Sequence, residues 1–410
     1  MNHPVQSAEI SAASSLRAVL IQNDAQAVAA AHRLALEFAP GASKRDAERL
    51  LPRHEIEQFS ASGLGGIAVP REYGGAGVSH ATLAAVIAII SAADPSLGQI
   101  PQNHFFMLDV LRVNGTEAQK KFFFARALAG DRFGNALSET GTKTVADYKT
   151  TLTRDLDGVG YRINGRKFYS TGALFATWIP VVVRSEDSKL QVAFIKSDVA
   201  GLSLIDDWSG FGQRTTGSGS SILDNVYVDA SAVVPYSAAF DHPTTVGPLG
   251  QLIHAAVDLG IAQAALQDTL SFVKNLSRPW IDSGVERAAN DPLTLRDIGD
   301  ISIRLHAAQA LVERAGQILD ATAARPDAQT VARASLAVAE ARVLTTEIAL
   351  QATTKLFELA GTQATLAEHN LDRHWRNART HTLHDPVRWK YIAVGDFYLN
   401  GTLPPRHGAL

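Results

Sequence analysis

The chain has 410 residues, enough for two or three domains with sizeable cores. A net charge of −3, with 19% charged residues, gives no pull toward nucleic acid or an anionic membrane. There is no cysteine, which removes disulfides, thiolate metal sites and cysteine nucleophiles.

The N-terminus, MNHPVQSAEISAASSLRAVL, has no basic stretch ahead of a long apolar core, so no secretory signal is expected. From about residue 15 to 133 the pattern is helical, with Val28, Ala31, Leu34, Ala35 and Phe38 recurring on one face. The segment GLGGIAVPREYGGAG, Gly63 to Gly77, reads as a loop. It follows a helical pattern rather than a strand, so its glycines fail the context that a dinucleotide fingerprint requires. The most apolar run, Leu83 to Ala93, is too short to span a bilayer and stops at Asp94-Pro95. It reads as a buried helix, and the expected address is the cytoplasm.

From about Arg132 to Pro235 the texture changes. YRINGRKFYS, WIPVVVR, QVAFIK and NVYVD are rich in β-branched and aromatic residues, which predicts a β domain. Asn164-Gly165 reads as a hairpin turn between two of its strands. In FGNALSETGTKT the side chains of Asn135, Ser138, Thr140, Thr142 and Thr144 suit the edge of a polar planar ring. They equally suit a turn rich in local hydrogen bonds.

From about Gly247 onward, long alanine-rich amphipathic stretches predict a helix bundle. The domains are therefore expected at 1–132 (helical), 133–236 (β) and 237–410 (bundle). The last distinctive segment is LDRHWRNARTHTLHDP, Leu371 to Pro386. It carries Arg373, Arg376 and Arg379 with His374, His381 and His384, and ends on Asp385-Pro386, a helix stop. His381 and His384 are spaced to share a helix face. Without an HExxH motif or a matching carboxylate cluster, no metal site is expected.

The succession GLGGIAVPREYGGAG, NALSETGTK, KFYSTGA and GFGQRTTGSGSSILDNVYV resembles the acyl-CoA dehydrogenase family from about Ala25 onward. That resemblance implies an N-terminal helical domain, a middle β-barrel domain, a C-terminal four-helix bundle, bound flavin and a homotetramer. Within the fold, the chain is similar to the flavin-dependent monooxygenases of sulfur assimilation, dibenzothiophene monooxygenase among them. These share DDWxxxGxRxTxSGS, SRPW and DRxWRNxRTHxLHDP, all present here.

The resemblance implies a two-component monooxygenase. Reduced FMN, with FAD the alternative, would come from a separate flavin reductase. Oxygen would reach a small organosulfur substrate through a flavin C4a-(hydro)peroxide. It implies His104 and His384 as donors or acid–base groups and Asn135 at the reacting centre. Ser138, Tyr169, Ser170 and Thr171 would line the flavin, and Arg278 would hold its phosphate, often across a subunit interface. Trp208 and Phe105 would line the substrate pocket. Gln363 departs from the pattern, standing where the dibenzothiophene enzyme has an arginine. Asp385 stands where a dehydrogenase keeps its glutamate base. Three other readings stay open: a dehydrogenase using FAD with Asp385 as base, a nitrogen or aromatic-ring hydroxylase of the same fold, and a helical binding protein.

Overall fold

The computed structural model describes residues 18–144, 147–156 and 158–410. Residues 1–17, most of the stretch read for a secretory signal, lie outside them. Six α-helices come first among the described residues: α1 (Asp24–Glu48), α2 (Arg53–Ala61), α3 (His80–Ala93), α4 (Pro95–Gln99), α5 (Gln102–Asn114) and α6 (Glu117–Leu128). The Asn23 side chain caps α1 by accepting from Gln26 N–H. Its inward stripe is Ala27, Ala31, Leu34 and Phe38, with Val28 and Ala35 half-buried on its flank. α3 stops at Asp94, whose extended backbone and carboxylate cap α4 through the Ser96 and Leu97 amides. Pro95 then occupies the first helical position, where its missing N–H costs nothing.

Seven strands follow: β1 (Thr151–Arg154), β2 (Gly160–Lys167), β3 (Trp178–Ser185), β4 (Leu190–Lys196), β5 (Leu202–Ile205), β6 (Ser220–Asp229) and β7 (Val233–Pro235). They form one curled sheet in the order β5-β6-β2-β1-β3-β4-β7, with β1–β3 the single parallel pair. The expected hairpin at Asn164-Gly165 is absent: both residues lie inside β2, at a bulge against β6. Gly165 has φ 155°, and a Cβ there would stand 2.5 Å from Thr150 Oγ1, so glycine serves close packing rather than a turn. The Asn164 side chain accepts from Asn225 N–H across the sheet.

The C-terminal half comprises α7 (Ala238–Asp241), α8 (Val246–Asn275), α9 (Pro292–Ala324), α10 (Ala328–Ala360), α11 (Asp372–His381) and α12 (Arg388–Asn400). α8 is apolar and long enough to cross a membrane, yet 83% of its apolar window is buried inside the protein. It is the bundle's central helix. At Gly260 an added Cβ would meet Ala88 O at 2.5 Å, so glycine sets the close approach of α3 to α8.

Candidate active site

The site is organised by the α4–α5 junction, which touches both of the other domains. Ser96 Oγ donates to Gln213 Oε1 at 3.0 Å, in the loop before β6. Gln99 Nε2 lies 3.2 Å from His384 Nε2, beyond the end of α11. Ile100 packs under Gly172, where a Cβ would stand 3.1 Å from its carbonyl oxygen. Asn103 Nδ2 donates to Gly134 O, beside Asn135. One short stretch of chain therefore sets Asn135, the Ser170–Gly172 turn and His384 around itself.

Three histidine rings meet at the end of α11. Ring centroids of His254 and His384 are 4.4 Å apart, of His381 and His384 4.7 Å, and of His254 and His381 5.2 Å. The partners fix the tautomers in turn. His381 Nδ1 lies 2.5 Å from Asp258 Oδ1, so it carries the proton and donates. His381 Nε2 then accepts from His254 Nδ1 at 3.3 Å, and His254 Nε2 faces the Gln102 amide at 3.3 Å. His384 Nδ1 donates to His381 O at 2.7 Å, which leaves His384 Nε2 as an acceptor for Gln99.

Burial raises the Asp258 carboxyl, but Arg342 and His381 outweigh it and hold the group below the ordinary carboxylate value. Arg342 is itself fully buried and bonded to Asp258. Dense surroundings and the neighbouring His381 push His384 down to about 4, although its ring keeps an exposed face. Burial, then His384 and His381, lower His254 well below the ordinary value.

Other predicted residues fall into two groups. Asn135 accepts from Leu137 N–H and is half-buried, and exposed Ser138 receives Phe168 N–H on its carbonyl. Tyr169 takes a left-handed backbone at φ 59°, and its ring, 47% exposed, lies 6.1 Å from that of Trp208. Ser170 accepts from Ser221 Oγ at 2.8 Å, and Thr171 pairs with Ser218 Oγ at 2.7 Å. Gly134 and Gly172, beside Asn135 and Thr171, touch the junction directly.

His104, Phe105 and Arg278 take other positions. His104 Nε2 donates to Gly65 O at 2.7 Å, and its Nδ1 accepts from Phe133 N–H at 3.1 Å. Both nitrogens are spent on backbone, so the ring pins the helical domain to the β domain rather than offering a free donor. Burial pushes it down to about 4. Phe105 is fully buried in the helical core against His104, instead of lining an open pocket. Arg278 is exposed in the loop after α8, and at helical rise the far end of α8 is roughly 30 Å from His254. It makes no ion pair among the described residues, and one chain alone does not bring it to the junction.

Arg373, His374 and Arg376 of the distinctive segment are tied to other helices. Arg373 and His374 bind Asp268, and Arg376 makes two bonds to Asp46. Arg373, His374, Asp46 and Asp268 line a cavity of about 430 Å³ that reaches Ser96 of α4. Asp385 is buried with Lys390 Nζ 3.0 Å from Oδ1, and neither carboxylate oxygen makes a hydrogen bond. It does not orient His384.

Reading the sequence missed Gln99, Gln213 and His254. Gln99 and His254 sit in helices and Gln213 in a loop, none carries a local signal, and only the tertiary contacts single them out.

A bound flavin would need an aromatic wall and polar partners for its ring edge. Tyr169 and Trp208 supply the first. Gln99 Oε1 and Thr380 Oγ1 are buried polar atoms without a partner, which suits the second. The residues fit the group.

Comparison with known proteins agrees. The acyl-CoA dehydrogenase N-terminal, middle and C-terminal domain profiles match residues 22–131, 134–226 and 252–389. Dibenzothiophene monooxygenase of Rhodococcus qingshengii is 34% identical over 397 residues, covering 93% of this chain and 95% of that protein. A probable FMNH2-dependent monooxygenase, SfnC of Pseudomonas putida, is 33% identical, covering 92% and 96%. The FMN-bound crystal structure of TdsC from Paenibacillus sp. A11-2 superposes with a TM-score of 0.89 at 30% identity, covering 94% of this chain and all of that one. The chain belongs to the acyl-CoA dehydrogenase family, on the branch that includes dibenzothiophene monooxygenase.

Proposed function

We propose that this chain is a reduced-FMN-dependent monooxygenase that oxygenates an organosulfur compound. The observation that carries the reading is His384: a histidine with an open face whose Nε2 accepts only from the Gln99 side-chain amide, beside a carboxylate ion-paired with Lys390. In a dehydrogenase the neighbouring acid would have to be a free base. Asp385 instead has buried Lys390 beside it, so proton abstraction next to a thioester is disfavoured.

Reduced flavin, when bound, supplies the electrons that activate oxygen. His384 receives or returns a proton at Nε2. Its Nδ1–H is anchored on the His381 carbonyl, which fixes the ring plane and leaves Nε2 as the working atom. A group held near 4 keeps a proton briefly and gives it up readily, which suits a returning step. Gln99 holds the ring from the other side. Asn135, Ser138, Tyr169, Ser170 and Thr171 position the flavin, and Trp208 walls the substrate side. His104 acts at one remove, by fixing Phe133 and hence the start of the Asn135 segment.

Arg278 would hold the flavin phosphate of a neighbouring subunit, a bidentate task its guanidinium suits. Support for a homotetramer comes from apolar side chains left in the open: Trp280 at 69%, Ile281 at 86% and Leu399 at 84% exposure. A separate reductase supplies reduced FMN. Among the described residues the sheet's strands pair mainly antiparallel, which does not suit a nicotinamide-binding fold. The absence of cysteine fits a cytoplasmic setting.

The test is oxygen uptake and product analysis with reduced FMN, isotopically labelled oxygen gas and a panel of sulfides, sulfones, sulfinates, amines and phenols. Label is expected in a sulfur-containing product. Label only in an amine or phenol product would move the substrate to nitrogen or an aromatic ring. Anaerobic bleaching of bound flavin by an acyl-CoA would replace the reading with a dehydrogenase.

A further inference from the structure

His254 is the member of the histidine cluster for which the oxygen chemistry has no use. It stands on α8, 127 residues before His381. That separation hides it from any reading of local motifs, and so the sequence carries no metal signature. In space, one ring nitrogen from each of His254, His381 and His384 lies within 4.8 Å of the others. His254 Nδ1 and His381 Nε2 are 3.3 Å apart. Two ligands of a tetrahedral ion with bonds of about 2.0–2.1 Å stand about 3.3 Å from each other, so this edge already has the right length.

The outward nitrogens are held from behind. His381 Nδ1 is on the Asp258 carboxylate at 2.5 Å, and His384 Nδ1 is on the His381 carbonyl at 2.7 Å. His254 Nε2 faces the Gln102 amide, which can turn its oxygen inward to accept. Such outer partners fix tautomer and ring plane in histidine metal sites, and a carboxylate behind one ring strengthens it as a donor. Asp258 is in turn bonded to Arg342 and Thr346. The exposed face of His384 leaves an entry path and room for a fourth ligand.

We propose that His254, His381 and His384 form a binding site for a late first-row divalent cation such as Zn²⁺, and that its occupancy silences the enzyme by capturing His384 Nε2. The silencing rests on the role given to His384 above; the binding does not.

The full chain, stripped with a chelator and free of flavin, is titrated with Co²⁺, whose visible absorption reports tetrahedral nitrogen ligation. Zn²⁺ then displaces it. One ion per chain is expected. His254→Asn weakens affinity at least about a hundredfold, beyond the loss typical of an outer partner. His32→Asn, at an exposed histidine of α1, leaves affinity unchanged. X-ray absorption on the Zn-loaded wild type counts three imidazoles, whatever the folding of any variant. Failure to bind one ion per chain, or fewer than three imidazoles, overturns the site. Scaled to each protein's own metal-free rate, product formation with reduced FMN is expected to be lost when Zn²⁺ is added to wild type and to be far less sensitive to Zn²⁺ in His254→Asn. Bound Zn²⁺ with undiminished oxygen transfer would leave the site standing and overturn the role of His384.

Discussion

Gln99→Leu separates stability from function at the α4–α5 junction. The wild-type amide does two things. Its nitrogen holds His384 Nε2 at 3.2 Å, and its oxygen is buried with no partner. An orphaned buried acceptor costs about 1–3 kcal/mol, whereas a typical hydrogen bond returns about 0.5–1.5 kcal/mol. Leucine is similar in size and removes both, so the balance is a net gain of about 1 kcal/mol in the flavin-free protein. In a chain this long that raises the melting temperature by only about 1 °C. Function moves the other way. Losing the bond that steadies His384 lowers the ratio of oxygenated product to hydrogen peroxide by about 2- to 13-fold, the equivalent of that same bond. Differential scanning calorimetry of the flavin-free chain and a coupled peroxide assay read the two effects. A melting temperature that falls, together with an unchanged product-to-peroxide ratio, would refute the reasoning.

His384→Ala is expected to fold and bind FMN like wild type while its product-to-peroxide ratio drops by roughly 10²–10⁴-fold, the range for a positioned acid–base group; efficient transfer in the variant would remove the assignment. Arg278→Ala weakens FMN affinity, read by fluorescence titration, and leaves the melting temperature of the flavin-free protein unchanged. Arg342→Met strands the Asp258 carboxylate in the core and costs about 3–5 kcal/mol, measured by chemical or thermal unfolding; a loss under 1 kcal/mol contradicts the buried pairing. Buried His104 is pushed from 6.5 to about 4, so between those pH values the unfolded chain binds the proton and the folded one does not. Its stabilisation is therefore complete above pH 6.5 and lost as pH falls toward 4, about 3 kcal/mol in all; stability flat across that window would refute it.

Segments whose residues act locally were legible. The α1 stripe, the β-branched strands and the Asp94-Pro95 stop each declare themselves by spacing or cap chemistry. His384 was singled out because the family likeness runs through its whole segment. Asn164-Gly165 misled, because a dipeptide that suits a hairpin also suits a bulge when Thr150 packs against the glycine. His104 misled for a related reason: a polar side chain between apolar neighbours looks functional until its partners, Gly65 O and Phe133 N–H, are known. The crowd of cations in the distinctive segment proved divided. Arg373 and Arg376 answer carboxylates on other helices, and only His381 and His384 reach the junction.

Gln213 explains why that junction holds its shape. Its backbone sits at φ 49°, a left-handed conformation that costs a non-glycine residue of order 1–3 kcal/mol. The conformation persists because the residue is bonded on every side. Its N–H donates to Asn377 Oδ1 on α11, its carbonyl receives Trp208 Nε1 and Thr216 Oγ1, and its side-chain oxygen receives Ser96 Oγ on α4. Next to it, Gly212 lies so close to α11 that a Cβ would stand 1.9 Å from Arg376 O. A single buried residue thus ties the helical domain, the sheet and the bundle together, through Ser96, one helical turn before Gln99. The position of His384 relative to Tyr169 and Asn135 is consequently a property of the packed domains rather than of any one loop. Placement to a fraction of an ångström is what acid–base chemistry at an activated oxygen requires, and here the strain at Gln213 is where that rigidity is paid for.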